Sequence, residues 1–141
     1  LAHDTMGQWL AAQVAEQIAD LERRGDAVAA FIADSLFSSD GIYAEPTNLL
    51  GPVADVVRKA GGLFIADEVQ SGFARSGTHF WGHARHGVQP DIVTMGKPMG
   101  NGYPVAGIAV APRQATSGTS KCVTAGVNLR SAKPPAGPSW H

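Results

Sequence analysis

Two uninterrupted apolar runs of strand length dominate the sequence. They cover residues 28–33 (Val-Ala-Ala-Phe-Ile-Ala) and 63–66 (Leu-Phe-Ile-Ala). A strand with one face in water alternates apolar and polar side chains, whereas an unbroken apolar run indicates a strand covered on both faces. Such strands are typical of parallel sheets, whose crossover connections are usually helices. The two runs therefore predict an α/β fold.

The segments around these runs supply the helices and the other strands of that fold. Residues 5–24 and 49–60 carry apolar side chains at helical spacing, and glycine follows each segment. Residues 91–95 predict a third strand and residues 105–110 a fourth. The stretch 71–91 has no clean period, so we expect a long loop with short helical turns there. The order strand, helix, strand, long connection, strand is typical of α/β domains.

Composition excludes several classes of protein. Of the 141 residues, 44% are hydrophobic and 16% are charged, and the formal net charge is −1. A nearly neutral chain has no electrostatic reason to bind nucleic acid or an anionic membrane. The lone Cys122 cannot close a disulfide within the chain, and no apolar run approaches the roughly 20 residues that span a bilayer. We therefore expect neither a nucleic-acid partner nor a membrane partner.

The composition changes in the last part of the chain. No acidic residue follows Asp91, and proline, glycine, serine and threonine dominate from Pro112 onward. Such a stretch lacks the apolar pattern that a packed core requires. We therefore predict one α/β segment over residues 1–111 and an irregular or disordered, or even out-of-frame, tail over residues 112–141. The chain begins with leucine and shows no signal or transmembrane segment, so we expect a truncated N-terminus and a cytoplasmic protein.

Three chemically useful side chains follow the predicted strands. Asp34 follows the first strand, Asp67 the second and Lys97 the third. Ligands of open α/β sheets bind at the carboxyl ends of the strands. A lysine at the rim of an apolar sheet favours the neutral amine, because desolvation disfavours the ammonium form, and a neutral amine forms a Schiff base with an aldehyde.

A carboxylate near such a lysine is suited to a cationic ring nitrogen, and the two groups together indicate pyridoxal phosphate chemistry. Taken alone, Asp67 and Lys97 also fit a capping aspartate and a surface lysine. The spacing of these two residues therefore leaves both interpretations open.

Two longer motifs carry a more specific signal. Residues 63–77 read LFIADEVQSGFARSG, and residues 90–107 read PDIVTMGKPMGNGYPVAG. In order and spacing they resemble the class III aminotransferases, which are pyridoxal phosphate enzymes of fold type I, and the resemblance extends over roughly residues 5–111. The branch most similar contains alanine–glyoxylate aminotransferase-like enzymes and phosphoethanolamine phospholyases. The resemblance implies part of the family's large domain, a mostly parallel sheet flanked by helices.

The resemblance also implies a role for each matching site residue. Lys97 would be the catalytic Schiff-base lysine and proton carrier, and Asp67 would pair with the pyridine nitrogen of the cofactor. Val69 would pack on the ring, and Gln70 would hydrogen-bond its phenolic oxygen. Asp34 is a candidate for the substrate side, because it lies where many family members carry a Glu-Pro motif. No residue is assigned to a metal.

The other polar residues of this region favour structural roles. Strand alternation points the Glu68 side chain to the face of the sheet opposite that of Asp67, so a structural role is expected for Glu68. Residues 64–68 also look like the acidic strand end of a P-loop ATPase, but the sequence has no Gly-x4-Gly-Lys-Ser/Thr loop. His79, His83 and His86 have spacings that could bind zinc on a helix, but glycines interrupt that helix, so a surface loop is the better interpretation.

The function implied by the resemblance is pyridoxal phosphate binding and transaminase activity. An amine or amino acid and a keto acid would be the substrates, with amino-group transfer through Lys97, and complete relatives are expected to form homodimers. One alternative is a pyridoxal phosphate-dependent phospholyase, which eliminates phosphate and releases ammonia from a phosphorylated amine. A second alternative is an inactive fragment, because the sequence matches neither the family's phosphate-binding loop nor its C-terminal domain.

Overall fold

Five strands form one mixed sheet in the computed structural model, which describes residues 5–111 and 123–125. In spatial order they are β1 (Ala30–Asp34), β2 (Leu63–Asp67), β3 (Ile92–Met95), β4 (Gly107–Val110) and β5 (Val123–Ala125). The first three strands run parallel, and β4 and β5 each run antiparallel to the preceding strand. The α/β fold predicted from the apolar runs is confirmed.

Two helices precede strands of the parallel part of the sheet. Helix α1 (Met6–Arg23) precedes β1, and helix α2 (Gly51–Lys59) connects β1 to β2 as the crossover that a parallel pair requires. A short 3₁₀ helix, Gly82–His86, lies in the long connection between β2 and β3. No helix in the described part of the chain is long and apolar enough to cross a membrane.

The hydrophobic core lies between the helices and one face of the sheet. Phe64 is fully buried at its centre, and its ring stacks on Phe31 of the neighbouring strand at a centroid distance of 6.1 Å. Val53 and Val57 of α2 are fully buried against α1 and the sheet. Burial of each such side chain contributes roughly 1.5–3 kcal/mol, so this layer fixes the position of β1 and β2.

The opposite face of the sheet is open in the described residues. Ile32 is 57% exposed and Ile108 is 48% exposed, although both belong to strands. The unbroken apolar runs predict cover on both faces, but the helices described here cover only one. Because of the strand register, Asp67 and Thr94 lie side by side on the open face.

Part of the predicted irregular tail, residues 112–141, has regular structure. Val123–Ala125 form β5 and pair with β4. A strand this short is held by its ladder with a neighbouring strand, so the local composition on which the prediction rests does not reveal it. The rest of the predicted tail lies outside the described residues.

Candidate functional site

The carboxyl ends of the three parallel strands lie at one edge of the sheet. Asp34 at the end of β1 is the register partner of Asp67 at the end of β2, and Thr94 of β3 is the next partner along. Lys97 follows β3 after a single intervening residue, Gly96. The topology therefore brings the predicted aspartates and the predicted lysine to the same edge.

One oxygen of the Asp67 carboxylate is held in place and the other is not. Oδ1 accepts hydrogen bonds from the backbone N–H of Val69 at 3.0 Å and from the Thr94 hydroxyl at 3.2 Å. No donor of the described residues hydrogen-bonds Oδ2, and the side chain is half-buried on the open face of the sheet. The carboxylate is thus fixed in orientation while one oxygen remains available to a further donor.

Asp34 ends its strand in the same way but uses both oxygens. The backbone N–H groups of Leu36 and Ser38 donate to Oδ1 and Oδ2 at 2.8 and 2.9 Å. Such bonds from an aspartate to the backbone that follows it stabilise a turn. The structure therefore shows Asp34 closing the turn after β1, and its role toward a substrate stays a prediction.

Val69 joins the end of β2 to the segment that carries the lysine. Two of its methyl carbons lie 3.4 and 3.6 Å from where a β-carbon on Gly96 would stand, which is van der Waals contact. The neighbouring Gln70 is half-buried, and its side-chain amide makes no hydrogen bond with a described residue. The Val69 side chain is therefore placed beside the strand end that leads to Lys97.

Lys97 itself lies in a turn just beyond β3. The N–H of Met99 donates to the carbonyl of Gly96 at 2.8 Å, which closes this turn around the lysine. The Lys97 side chain is exposed. The sequence-based expectation of a desolvated lysine is thus not met by the described residues, because they leave this face of the sheet open.

Behind the open face, a cluster of polar groups surrounds Glu68, whose side chain is fully buried. Oε1 accepts hydrogen bonds from the Ser35 hydroxyl, the His83 backbone N–H and the His83 ring at 2.8, 2.7 and 3.0 Å. Oε2 accepts from the Ser71 hydroxyl and the Gly82 backbone N–H at 2.9 and 2.8 Å. We call these five residues the Glu68 cluster; it joins β1, β2 and the 3₁₀ helix.

The Glu68 cluster determines the charge of the buried carboxyl. Burial alone raises its pKa, because desolvation penalises the anion. The hydrogen bonds from the His83 ring, the backbone N–H groups of Gly82 and His83 and the Ser35 hydroxyl outweigh that effect and lower the pKa from 4.5 to about 2. Glu68 is therefore an anion at neutral pH, so both of its oxygens can only accept hydrogen bonds.

Alternation along β2 correctly predicts that Glu68 lies opposite Asp67. Its partners are not predictable from local sequence, since Ser35 lies 33 residues away and His83 lies 15 residues away. The one signal in the sequence was an acidic residue directly following a buried strand. Such a residue needs several donors wherever it lies in the interior.

His86 is a second buried polar group, and it connects the 3₁₀ helix to the segments around it. Its Nδ1 accepts from the backbone N–H of Leu49 at 3.1 Å, and its Nε2 donates to the Ser35 carbonyl at 2.8 Å. Burial lowers its pKa below 6.5, and the bond to Ser35 only partly opposes this. The ring is therefore neutral at pH 7, with its hydrogen on Nε2.

The three histidines considered for zinc lie in separate environments. His79 is exposed beside the Thr78 hydroxyl, whereas His83 contacts Glu68 and His86 bonds to backbone. Across residues 5–111 and 123–125, no group of three or more histidine, cysteine or acidic side chains is arranged to hold a metal ion. Their common spacing therefore reflects a short 3₁₀ turn and its flanking loop.

Gly82 is expected to be intolerant of a side chain. A β-carbon there would stand 2.8 Å from the β-carbons of both Ser35 and Ser71 and 3.1 Å from Oε2 of Glu68. We expect Gly82→Ala to lower the free energy of unfolding by about 1–3 kcal/mol, as overpacking of a tight interior does. Gly107→Ala is the matched control, because its nearest neighbour would lie at 3.6 Å. Equal urea midpoints for the two variants would contradict the tight packing around Gly82.

Comparison with known sequences identifies relatives of this chain. The family model described as "Aminotransferase class-III" matches residues 2–124. An alanine–glyoxylate aminotransferase 2-like protein of Drosophila melanogaster is 48% identical over 104 residues, which is 73% of this chain and 21% of that protein. The human mitochondrial alanine–glyoxylate aminotransferase 2 is 45% identical over 96 residues, which is 68% of this chain and 18% of that protein. This chain therefore spans about a fifth of the length of these curated relatives.

Solved structures show the same likeness. A phospholyase from Arthrobacter in complex with phosphoethanolamine superposes with a TM-score of 0.69 at 43% identity, over 78% of this chain and 26% of that one. An omega transaminase from Pseudomonas jessenii in complex with PMP gives a TM-score of 0.68 at 31% identity, over 78% of this chain and 24% of that one. Both similarities extend over most of this chain and about a quarter of the solved one.

Proposed function

The chain belongs to the class III aminotransferase family, and on that basis we propose that its sheet edge is the lysine-bearing, ring-binding part of a pyridoxal phosphate site for amino-group transfer. The observation that carries this proposal is the Asp67 carboxylate, with Oδ1 held by Val69 and Thr94 and Oδ2 available. A cofactor with an aldehyde and a protonated ring nitrogen needs an amine and a carboxylate, and Lys97 and Asp67 supply both at one edge. When bound, pyridoxal phosphate supplies an electron sink for the substrate's reacting carbon.

The residues around this edge have distinct roles in the proposal. The Lys97 amine would hold the cofactor at its aldehyde, and it would carry the proton to and from the substrate carbon. Oδ2 of Asp67 would accept from the ring nitrogen of the cofactor, Val69 would pack on the ring, and the Gln70 amide would hydrogen-bond its phenolic oxygen. Asp34 is proposed to face the substrate. In this role its two oxygens would also keep accepting the backbone hydrogen bonds that close the turn after β1.

The substrates and partners proposed are those of a whole enzyme of this family. An amino acid or other amine and a keto acid fit the names of the aminotransferase relatives, and a homodimer and a cytoplasmic location remain predictions. Because the chain spans about a fifth of those relatives, residues beyond this site would be needed to select among amines.

A second candidate is ammonia-releasing elimination on a phosphorylated amine. Two relatives favour it, namely the Arthrobacter phospholyase and an ethanolamine-phosphate phospho-lyase homolog of Caenorhabditis elegans that is 50% identical over 92 residues. The products separate the two reactions. Release of inorganic phosphate from phosphoethanolamine without any keto acid supports elimination, and dependence on a keto acid supports transfer.

The proposal predicts selective attachment of pyridoxal phosphate to Lys97. We expect borohydride reduction of the chain mixed with a stoichiometric amount of pyridoxal phosphate to label the peptide that carries Lys97. Exposed lysines also react with aldehydes, so peptide mass spectrometry must compare Lys97 with Lys59, which is exposed at the end of α2. Lys97→Ala should abolish the selective label, and Lys59→Ala should leave it unchanged.

Uniform labelling of Lys59 and Lys97, or no label at all, would count against the proposed site. A chain that folds, as judged by its far-ultraviolet circular dichroism, and yet takes up no cofactor at Lys97 would instead support the inactive alternative.

A further inference from the structure

Glu68 takes no part in the proposed chemistry, yet five hydrogen-bond donors lie within 3.0 Å of its carboxylate. We infer that Glu68 is a positioning residue: the Glu68 cluster holds the turn after β2 so that Oδ2 of Asp67 stays presented on the open face of the sheet. The identity of the group that Oδ2 meets rests on the proposed function. The positioning itself rests on contacts within the chain.

The first step is that Asp67 and Glu68 share one peptide bond at the end of β2. Their side chains leave opposite faces of the sheet, Asp67 toward the open face and Glu68 toward the interior. The backbone N–H of Glu68 donates to the Thr94 carbonyl at 2.9 Å, and the Thr94 hydroxyl donates to Oδ1 of Asp67. A shift of the Glu68 backbone would therefore change the position of the Asp67 carboxylate relative to β3.

The second step is the turn that follows. The Ser71 hydroxyl lies 2.9 Å from Oε2 of Glu68 and 3.2 Å from the backbone carbonyl of Asp67. The N–H of Gly72 donates to the Glu68 carbonyl at 3.1 Å, and the N–H of Val69 donates to Oδ1 of Asp67. Ser71 therefore links the buried carboxylate directly to the residue that presents Oδ2.

The third step is that the anchors of Glu68 come from outside this turn. Ser35 belongs to the segment after β1, and Gly82 and His83 begin the 3₁₀ helix. Each of these residues donates a hydrogen bond to Glu68, so both carboxylate oxygens of Glu68 have to act as acceptors. A glutamine would present an NH₂ group to one set of donors and would lose bonds on that side, although its shape is almost the same.

A purely structural role for Glu68 is the competing explanation, because loss of a buried acceptor lowers stability in any case. The two explanations differ in where the effect appears. If the role is only structural, Glu68 substitution lowers the protection of all core amides from hydrogen exchange by as much as it lowers global stability. If the role is positioning, the Val69 amide, which bonds to Asp67, loses more protection than the change in global stability accounts for.

The test compares Glu68→Gln with Val57→Ala, a core variant in the apolar layer between α1, α2 and the sheet. Urea is adjusted so that both variants have the same free energy of unfolding. We expect native-state exchange of the Val69 amide to be about tenfold faster in Glu68→Gln, as for the loss of one buried hydrogen bond. Equal Val69 exchange in the two variants would overturn the inference.

Two less disruptive substitutions test the positioning role if Glu68→Gln does not fold. Ser35→Ala and Ser71→Ala each remove one hydroxyl donor to Glu68, at 2.8 and 2.9 Å, but only Ser71 also reaches Asp67. We expect Ser71→Ala to speed Val69 exchange at least about threefold more than Ser35→Ala does, at matched stability. Equal exchange rates in this pair also overturn the inference.

Binding of pyridoxal phosphate is an independent measurement on the same variants. We expect Glu68→Gln to weaken cofactor binding and to change the visible absorption band, whereas Val57→Ala changes neither. If the unmodified chain takes up no cofactor at Lys97, the proposed function fails while the Val69 comparison still decides the positioning role.

Discussion

Replacing Glu68 by alanine is expected to lower the free energy of unfolding by about 3–5 kcal/mol, as removal of one partner from a buried ionic network does. The substitution leaves the backbone N–H groups of Gly82 and His83 and the hydroxyl of Ser35 without their acceptor in the interior, while the Ser71 hydroxyl keeps only the Asp67 carbonyl. Each unsatisfied buried donor costs about 1–3 kcal/mol, although relaxation and water entry reduce the total. Urea denaturation followed by circular dichroism measures the loss.

The matched control for this substitution is Glu45→Ala. The Glu45 side chain is 62% exposed and pairs at 3.3 Å with Arg85, whose own side chain is 10% exposed and also donates to the Ala44 carbonyl. A carboxylate that lies mostly in water contributes little through such a pair, so we expect a loss of about 1 kcal/mol or less. Similar losses for the two glutamates would show that the Glu68 cluster is not the anchor that its geometry indicates.

Acid is expected to destabilise the fold in two stages, and this is the second large effect. Glu68 has a pKa of about 2 in the folded chain against 4.5 as its ordinary value. Between these values the unfolded chain binds more protons than the folded chain, so stability falls as the pH falls. The stabilisation from Glu68 is complete above pH 4.5, and about 3 kcal/mol of it is lost as the pH approaches 2.

The earlier stage comes from His86. Burial lowers its pKa in the folded chain below 6.5, so the unfolded chain takes up this proton first as the pH falls. Stability should therefore begin to decrease below about pH 6.5 and then decrease further below pH 4.5.

Urea midpoints measured from pH 7 to pH 3 check both stages. We expect Glu68→Gln to remove the lower stage and His86→Gln to remove the upper one, each leaving the other in place. A stability that stays constant from pH 7 to pH 5 would exclude the effect of His86, and a lower stage that persists in Glu68→Gln would exclude the effect of Glu68.

The sequence predicts this fold well where a property repeats along the chain. The unbroken apolar runs before Asp34 and Asp67 predict β1 and β2, and the helical spacing around Leu50 predicts α2 to within a few residues. The proximity of Asp34, Asp67 and Lys97 is predictable for a similar reason, since each lies at or just after the end of a strand and parallel strands end at a common edge.

The remaining features depend on contacts between distant segments. The donors to Glu68 include Ser35 and His83, and the local sequence around each of these three residues gives no indication that they are in contact. The exposure of Lys97 depends on what covers the sheet, which is a tertiary property. Asp67 keeps one oxygen available, whereas both oxygens of Asp34 accept hydrogen bonds. This difference depends on where nearby backbone N–H groups lie, and the residue types alone do not predict it.

The order of the strands in the sheet has a consequence for how the chain acquires its structure. Every strand of the described sheet lies next to the strand that precedes it in the chain, from β1 through β5. No strand of the described sheet has to enter between two that are already paired. The strands can therefore pair in the order in which they occur in the chain, and the pairing of β1 with β2 at the Asp67 edge involves no residue of the segment that carries Lys97.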